Sequence, residues 1–279
     1  MNDTLREYFS YGKFIVPLLT VKKEIIPDEY RWNNKKRYFL FFPSSCKKKD
    51  TLVIYIHGGG WNSNSPKQHS FIGQKIALGG YDCIMPDYRK TPKYRYDDIS
   101  ADIFGGYANI KAYLKEKGLT YSKVVVMGSS AGAHLGALLC FDREKQIEYG
   151  ISADEFDGFI SMAGPLCFDY SQTGTLNTLL KMLFNSKDVS EWKKGEPYSK
   201  LSPSEKLKML IIQSRHDGLV GFDQAVAFNN KASELGIKTE LYEVTDKWNT
   251  HTAYCAGVFL KERTEFKILD KVFVQLDNI

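Results

Sequence analysis

Short apolar runs rich in valine, isoleucine and tyrosine alternate along this chain with longer stretches whose apolar residues recur every three or four positions. The short runs predict strands, and the longer stretches predict helices. Regular alternation of the two requires parallel βαβ units, so we expect an α/β fold with a mostly parallel central sheet of about eight strands and helices on both faces. The runs that predict strands are residues 37–42, 51–57, 81–88, 123–128, 156–164, 208–214 and 238–244.

The predicted helices lie between these strands, and only one segment breaks the alternation. We expect helices at about 66–78, 97–117, 131–141 and 222–235, and a last helix after His251. Strands 37–42 and 51–57 are expected to be neighbours, because only a short polar turn joins them. Residues 165–206 are polar and contain a helical piece at about 176–184, so we expect a small lid-like excursion over the sheet. No linker divides the chain, which predicts a single domain over residues 1–279.

The composition disfavours several classes of protein. A hydrophobic content of 43% and a charged content of 25% are ordinary for a globular chain. The net charge of +5 is spread out, with its densest run at 47–49, so no nucleic-acid partner is expected. The five cysteines show no zinc spacing, which favours free thiols, no metal site and a cytoplasmic location. The apolar run 14–19 is too short for a signal peptide or a membrane span.

The joint between strand 123–128 and helix 131–141 reads Gly-Ser-Ser-Ala-Gly at residues 128–132. A Gly-x-Ser-x-Gly turn reverses the chain sharply from strand to helix and exposes the oxygen of its central serine. Only Ser130 has glycines two positions before and after it, so Ser130 is the candidate nucleophile. Ser129 is expected to point into the protein. A tight turn that needs only small residues would have the same sequence. The identification of Ser130 as a nucleophile therefore depends on the other motifs.

A glycine-rich stretch, His57-Gly58-Gly59-Gly60-Trp61, follows the strand that begins at residue 51. Acyl transfer creates a tetrahedral oxyanion, which backbone N–H groups stabilise when they are aimed at it. Gly58 and Gly59 are predicted to supply two such donors. Ala131, the residue after the candidate nucleophile, is predicted to supply a third. The imidazole of His57 is expected to brace this loop.

An acid and a base of the required kinds follow Ser130 in the chain. Asp217 comes directly after a predicted buried strand, where a carboxylate can be held rigidly against an imidazole. Asp223 is a weaker candidate, because it is expected to cap a helix. His251 is the histidine that follows the last predicted strand, and the order serine, acid, histidine suits this kind of sheet. His216 adjoins the acid and cannot readily face it, and His134 is expected to be packed within its helix.

Together these motifs resemble the α/β-hydrolase superfamily, and within it the hormone-sensitive-lipase-like esterases and the related kynurenine formamidase and feruloyl esterase group. The resemblance runs from about Arg37 to the C-terminal helix and includes Asp87-Tyr88-Arg89, and Val220 three residues after the acid. It implies the α/β-hydrolase fold and a serine hydrolase that needs no metal or organic cofactor. The residues expected to support the site structurally are His57, Gly60, Trp61, Asp87, Arg89, Gly128 and Gly132.

The chain departs from the pattern of that family at three positions. Ala133 stands where the nucleophile motif usually ends in glycine, and Ser214 replaces the glycine that usually precedes the acid. Asp-Tyr-Arg is usually followed by Leu-Ala-Pro, but here by Lys90-Thr91-Pro92. None of these departures removes a predicted catalytic group.

The resulting prediction is a carboxylesterase that acts on a small-molecule ester, short-chain or aryl, through an acyl-enzyme on Ser130. An arylformamidase-type amidase would use the same residues. A prolyl-oligopeptidase-type peptidase would need a propeller domain for which 279 residues leave no room. A non-catalytic hydrolase-like binding protein would be expected to lack a triad member. A homodimer is compatible with this sequence. Candidates for lining the pocket are Trp61, Phe168, Tyr170, Trp192, Trp248, the first 30 residues and residues 165–206.

Overall fold

A single eight-stranded sheet forms the centre of the computed structural model. The structure describes residues 3, 5–7, 9, 21–22, 24–46, 48–170, 173–260 and 266–279, so residues 14–19 and Lys47 lie outside the described part. The strands are β1 Asp28–Trp32, β2 Arg37–Phe42, β3 Thr51–Ile56, β4 Asp82–Pro86, β5 Lys123–Ser129, β6 Gly158–Met162, β7 Lys208–Ser214 and β8 Thr239–Val244.

The sheet is mostly parallel, as the alternation of elements predicts. Its strand order is β1-β2-β4-β3-β5-β6-β7-β8. Strand β2 pairs antiparallel with β1 and β4, and every other pair of neighbours is parallel. The α/β fold class is therefore confirmed.

Two details of the sheet differ from the sequence prediction. Strands β2 and β3 are not neighbours, because β4 lies between them. The crossover after β3 places β4 parallel to β3, in the position beside β3 that β2 would occupy in a β2–β3 hairpin. Strand β1 was missing from the predicted strands. Its sequence, Asp-Glu-Tyr-Arg-Trp, lies at the edge of the sheet with exposed polar side chains, so it lacks the apolar run of a buried strand.

The predicted helices are present to within a few residues, but two short helices, at Arg143–Glu148 and Pro197–Lys200, were not predicted. The largest differences are at the predicted helix 66–78, which begins at Ser70, and at the C-terminal end of the chain, where two helices replace one. The helices are α1 Ser70–Leu78, α2 Tyr96–Lys117, α3 Ala131–Phe141, α4 Arg143–Glu148, α5 Gly174–Phe184, α6 Pro197–Lys200, α7 Phe222–Glu234, α8 His251–Cys255 and α9 Phe266–Asn278. Within the described ranges, no helix has both the length and the apolar composition needed to cross a membrane.

Both faces of the sheet are buried. Along β3, Ile54 and Ile56 belong to the core on the side of α2 and α3, whereas Val53 and Tyr55 belong to the core on the side of α1 and α9. Successive strand residues point to opposite faces, so a strand covered on both sides must be apolar throughout. Because β3 to β8 run parallel, their carboxyl ends lie at one common edge of the sheet. The glycine-rich loop after β3, the turn after β5 and the loop after β7 meet there.

Residues 165–206 leave the sheet after β6 and return to it at β7. They contain α5, a 3-10 helix at Val189–Gly195, and α6. Phe184 and Trp192 are buried in this excursion, and Phe184 packs against Tyr96 of α2. The segment is therefore anchored to the rest of the fold, because its buried aromatic side chains belong to the core on the side of α2 and α3.

Candidate active site

The turn after β5 holds Ser130 in an unusual backbone conformation. Its φ is 53° and its ψ is −122°, in a region that non-glycine residues rarely adopt. The two flanking glycines make this turn sterically feasible. A Cβ on Gly128 would lie 2.4 Å from the carbonyl oxygen of Gly132, and a Cβ on Gly132 would lie 2.0 Å from that of Ile56. The chain can therefore reverse against β3, and Ser130 is left partly exposed at the sheet edge.

Ser129 points into the protein, as its position in the motif predicts. It is buried, and its Oγ donates a hydrogen bond to the carbonyl oxygen of Cys255 at 2.6 Å. The Tyr55 hydroxyl lies 2.6 Å from the same Oγ. The serine next to the candidate nucleophile thus joins β3 and β5 to the helix that carries His251.

The structure brings Ser130, Asp217 and His251 into direct contact. Ser130 Oγ lies 2.8 Å from His251 Nε2. On the other side of the ring, His251 Nδ1 lies 2.8 Å and 3.0 Å from the two carboxylate oxygens of Asp217. A neutral imidazole that faces a carboxylate carries its proton on Nδ1, so Nε2 is left as the acceptor for the serine proton. This is the arrangement that activates a serine for nucleophilic attack.

Four further donors hold the carboxylate of Asp217. The backbone N–H groups of Leu219 and Val220 donate to Oδ1, each at 2.8 Å. The Tyr254 hydroxyl donates to Oδ2 at 2.7 Å, and Gln213 Nε2 donates to the same oxygen at 3.2 Å. The sequence alone did not reveal Tyr254 or Gln213, because neither belongs to a recognisable motif. The other candidate acid, Asp223, is exposed in the first turn of α7.

His251 is buried between charged groups. Burial lowers the pKa of His251, but the carboxylates of Asp217 and Glu7 outweigh burial, and the net pKa lies above the ordinary 6.5. Glu7 is itself buried, and its Oε1 accepts a hydrogen bond from the N–H of Thr252 at 3.0 Å. The part of the chain before β1 therefore contributes a carboxylate to the site, which no motif predicts.

The glycine-rich loop lies directly against the serine turn. A Cβ on Gly58 would lie 2.8 Å from the carbonyl oxygen of Ser129 and 3.3 Å from Ser130 Cβ. The N–H groups of Gly58 and Gly59 donate no hydrogen bond to another described residue. Ala131 is the first residue of α3, a position whose N–H has no partner within the helix. All three predicted oxyanion donors thus lie near Ser130 with N–H groups available to a ligand.

The predicted supporting residues hold this loop in two different ways. His57 is buried, stacks on Tyr88 at 4.5 Å between ring centres, and lies with Nε2 3.6 Å from Asp87 Oδ1. Trp61 is also buried, and its Nε1 donates to His134 Nδ1 at 3.2 Å. The loop is therefore braced by buried side chains on both sides.

Arg89 supports the site from further away. Its guanidinium donates to Asp102 and to Asp98 of α2, each at 2.8 Å. Arg89 therefore fixes the loop after β4 to a helix, because its hydrogen bonds with described residues go to Asp98 and Asp102 of α2.

The remaining predicted histidines have other partners. His134 is packed within α3 as expected, and its Nε2 donates to the carbonyl oxygen of Gly195 at 2.7 Å. His216 lies 3.4 Å from Asp3 and does not face the triad. Among the residues that the structure describes, no group of three or more His, Cys, Asp or Glu side chains is arranged to hold a metal ion.

A cavity of about 440 Å³ opens above Ser130. Its apolar wall includes residues that the sequence analysis did not single out, and their apolar character alone does not distinguish them from core residues. Of the five aromatic candidates, Trp61 is the one that lines this cavity among the described residues. Phe168 and Trp192 are buried in the core, and Tyr170 and Trp248 are exposed. The apolar residues of the wall are Pro165, Leu176, Leu179, Leu219, Val220 and Ala256.

Comparison with known sequences identifies related esterases. A probable isoprenylcysteine alpha-carbonyl methylesterase ICME from Oryza sativa subsp. japonica is 22% identical over 244 residues, which cover 82% of this chain and 57% of that protein. Esterase LipQ from Mycobacterium tuberculosis is 22% identical over 229 residues, which cover 77% of this chain and 53% of that protein. The chain thus spans about half the length of the curated relatives it matches.

Solved structures show the same fold over nearly the whole chain. Esterase B from Lactobacillus rhamnosis has a TM-score of 0.79 at 15% identity and covers 99% of this chain and 93% of its own. An esterase from Pyrobaculum calidifontis has a TM-score of 0.74 at 16% identity and covers 100% and 93%. The model of the BD-FAE family matches residues 40–232, which is more than half of the sequence. The chain therefore belongs to the BD-FAE family and has the α/β-hydrolase fold.

Proposed function

We propose that this protein is a carboxylesterase that hydrolyses small carboxylic esters through an acyl-enzyme intermediate on Ser130. The observation that carries the proposal is the 2.8 Å contact between Ser130 Oγ and His251 Nε2 beside a cavity of about 440 Å³. Similar proteins named as ester hydrolases, such as esterase LipQ, favour an ester over an amide as the substrate.

Each group of the site has a distinct role in this reaction. His251 Nε2 accepts the proton of Ser130 while Oγ attacks the ester carbonyl, and Asp217 stabilises the resulting imidazolium. The N–H groups of Gly58, Gly59 and Ala131 stabilise the oxyanion, and one such donor contributes about 3–4 kcal/mol. His251 then protonates the leaving alcohol. A water molecule repeats the sequence on the acyl-enzyme and releases the carboxylic acid.

We propose that residues 1–279 form one domain. The excursion 165–206 is proposed to act as the cap of that domain. Leu176 and Leu179 of α5 contribute to the apolar wall of the cavity, which suits a short acyl chain or a small aryl group. Esterase B, whose fold is similar, is inhibited by a tributyrin phosphonate. Butyrate esters are therefore suitable first substrates, within a panel that runs from two to about twelve acyl carbons.

The decisive experiment replaces the proposed nucleophile. Ser130→Ala is expected to reduce hydrolysis of 4-nitrophenyl butyrate at least about 10³-fold and to abolish labelling by a fluorophosphonate, because no covalent bond to the serine can form. The fold should persist, as checked by circular dichroism. The neighbouring Ser129→Ala variant is the control and should still be labelled. Wild-type-like turnover in Ser130→Ala, or an unlabelled wild-type protein, would show that the proposal is wrong.

A further inference from the structure

A lysine that the proposed reaction does not use is enclosed behind the glycine-rich loop. Lys90 Nζ lies 3.1 Å from Asp87 Oδ1, 3.5 Å from His57 Nε2 and 3.6 Å from the centre of the Tyr88 ring. It also donates to the carbonyl oxygen of Tyr88. This is the position at which the sequence departs from the usual Asp-Tyr-Arg-Leu pattern. The cation therefore stands where that pattern has an apolar side chain, and it directly faces the ring of His57.

The ring of His57 makes one short contact with the glycine-rich loop. Nδ1 lies 2.7 Å from the carbonyl oxygen of Gly58, so Nδ1 must carry a proton and donate it to that oxygen. Burial lowers the pKa of His57, and the positive charge of Lys90 lowers it further against the opposing effect of Asp87. The ring is accordingly neutral, with one proton, on Nδ1. Nε2 then presents a lone pair to Lys90.

The hydrogen bond to Gly58 decides where the next amide points. In a trans peptide, the C=O and N–H groups point in opposite directions. When His57 holds the carbonyl of Gly58 on its own side, the N–H of Gly59 must point away from His57. Gly59 and Ser130 line the same cavity. The proton position on His57 therefore controls a proposed oxyanion donor that the imidazole does not touch.

Asp87 competes for that proton. Its Oδ1 lies 3.6 Å from Nε2, so an unneutralised carboxylate would favour a proton on Nε2. A neutral ring with its proton on Nε2 would turn a lone pair of Nδ1 toward the oxygen of Gly58, which is repulsive. Lys90 opposes this exchange, because it pairs with Asp87 and places a positive charge beside Nε2.

We propose that Lys90 is a positioning residue for the glycine-rich loop. It neutralises Asp87, keeps the proton of His57 on Nδ1 and thereby holds the N–H of Gly59 toward the cavity. The proposal rests on the proposed esterase function for its kinetic consequence. Its structural consequence, the position of the proton on His57, does not depend on that function.

The kinetic test uses three variants. Lys90→Met is expected to lower kcat about 10- to 100-fold with little change in KM, because an oxyanion donor acts mainly in the transition state. Lys93→Met, at an exposed lysine three residues further on, is the control and should keep wild-type kcat. The double variant Asp87→Asn/Lys90→Met should recover most of the lost kcat, because no carboxylate then competes for the proton. Unchanged kcat in Lys90→Met, or no recovery in the double variant, would overturn the proposal.

The structural test is ¹⁵N NMR of histidine-labelled protein, which reports which imidazole nitrogen carries hydrogen. Wild-type His57 should be protonated on Nδ1 alone, and Lys90→Met should gain a proton on Nε2 and lose that on Nδ1. A wild-type ring with its proton on Nε2, or a variant ring that keeps Nδ1–H, overturns the proposal, and the wild-type measurement holds even if the variant does not fold. A wild-type protein that hydrolyses no ester but shows the expected proton positions would contradict the esterase function alone.

Discussion

His251 shows how a single residue is tuned by groups from distant parts of the chain. Asp217 lies 34 positions before it and Glu7 lies in the N-terminal segment, yet both carboxylates raise its pKa against the effect of burial. A general base must be neutral to accept a proton. The proposed reaction should therefore lose rate as the pH falls through a pKa that lies above 6.5.

The acid limb of the pH profile, which is the fall in kcat/KM at low pH, should depend on the charge of Glu7. In Glu7→Gln the negative charge near His251 is lost, so the pKa of His251 should fall and the acid limb of kcat/KM should move to lower pH. Asp3→Asn is a matched control, because Asp3 belongs to the same segment but contacts His216. The measurement is the pH profile of 4-nitrophenyl butyrate hydrolysis. Identical acid limbs in Glu7→Gln and wild type would mean that Glu7 does not act on His251.

At the scale of elements, the joint between β5 and α3 depends on how closely three backbones approach. Strand β3 lies beside β5, and the first turn of α3 packs against the end of β3. The pattern Gly-x-Ser-x-Gly predicted this joint from the sequence. The pattern did not indicate that the carbonyl of Ile56, on a different strand, is the group that excludes a side chain at Gly132.

The prediction for this element is that Gly132→Ala destabilises the protein by about 3 kcal/mol and displaces Ser130, because the new Cβ would lie 2.0 Å from the oxygen of Ile56. Gly105→Ala within α2 is the control. Its Cβ would lie 3.5 Å from Tyr149 Cε1, an ordinary van der Waals contact, and alanine suits a helix better than glycine by up to about 1 kcal/mol. Urea unfolding measures both. Equal stability of the two variants would contradict the close approach.

Helix and strand positions were predictable from the sequence because the pattern of apolar residues is local. Strand neighbours were not, as β2 and β3 illustrate, because β4 enters between them only through the crossover that α1 makes. Edge strand β1 was missed because an exposed edge needs no apolar run. Pairing and edge position are properties of the assembled sheet.

At the scale of the whole molecule, enclosed histidines link stability to pH. His57 and His134 are fully buried, and burial lowers the pKa of both, that of His134 to about 4. In the unfolded chain these rings take up protons near pH 6.5, so unfolding binds protons below that pH. Their contribution to stability is therefore complete above pH 6.5 and is lost as the pH falls toward 4. His251 has the opposite sign, because its pKa is raised.

The free energy of unfolding should depend on pH in part through His134. The neutral state of His134 is expected to account for about 2 kcal/mol of the stability lost between pH 7 and pH 5. His134→Gln should be less stable than wild type at pH 7 but should lose less on acidification. His216→Gln, at a partly exposed ring, is the control for the loss of an imidazole outside the core. Urea unfolding at both pH values tests this, and parallel curves for His134→Gln and wild type would contradict it.

The sequence by itself determined the fold class and the candidate nucleophile, acid and base, because each follows from a local pattern of strand, turn and helix. Only the tertiary structure decided which groups surround them. Tyr254 and Gln213 beside Asp217, and Glu7 near His251, belong to no motif, and the contact of Lys90 with His57 is not visible in the pattern from which Lys90 departs. Hydrogen bonds and charges act over a few ångströms in space. Residues far apart in the chain therefore become partners only once the sheet has brought its strand ends to one edge.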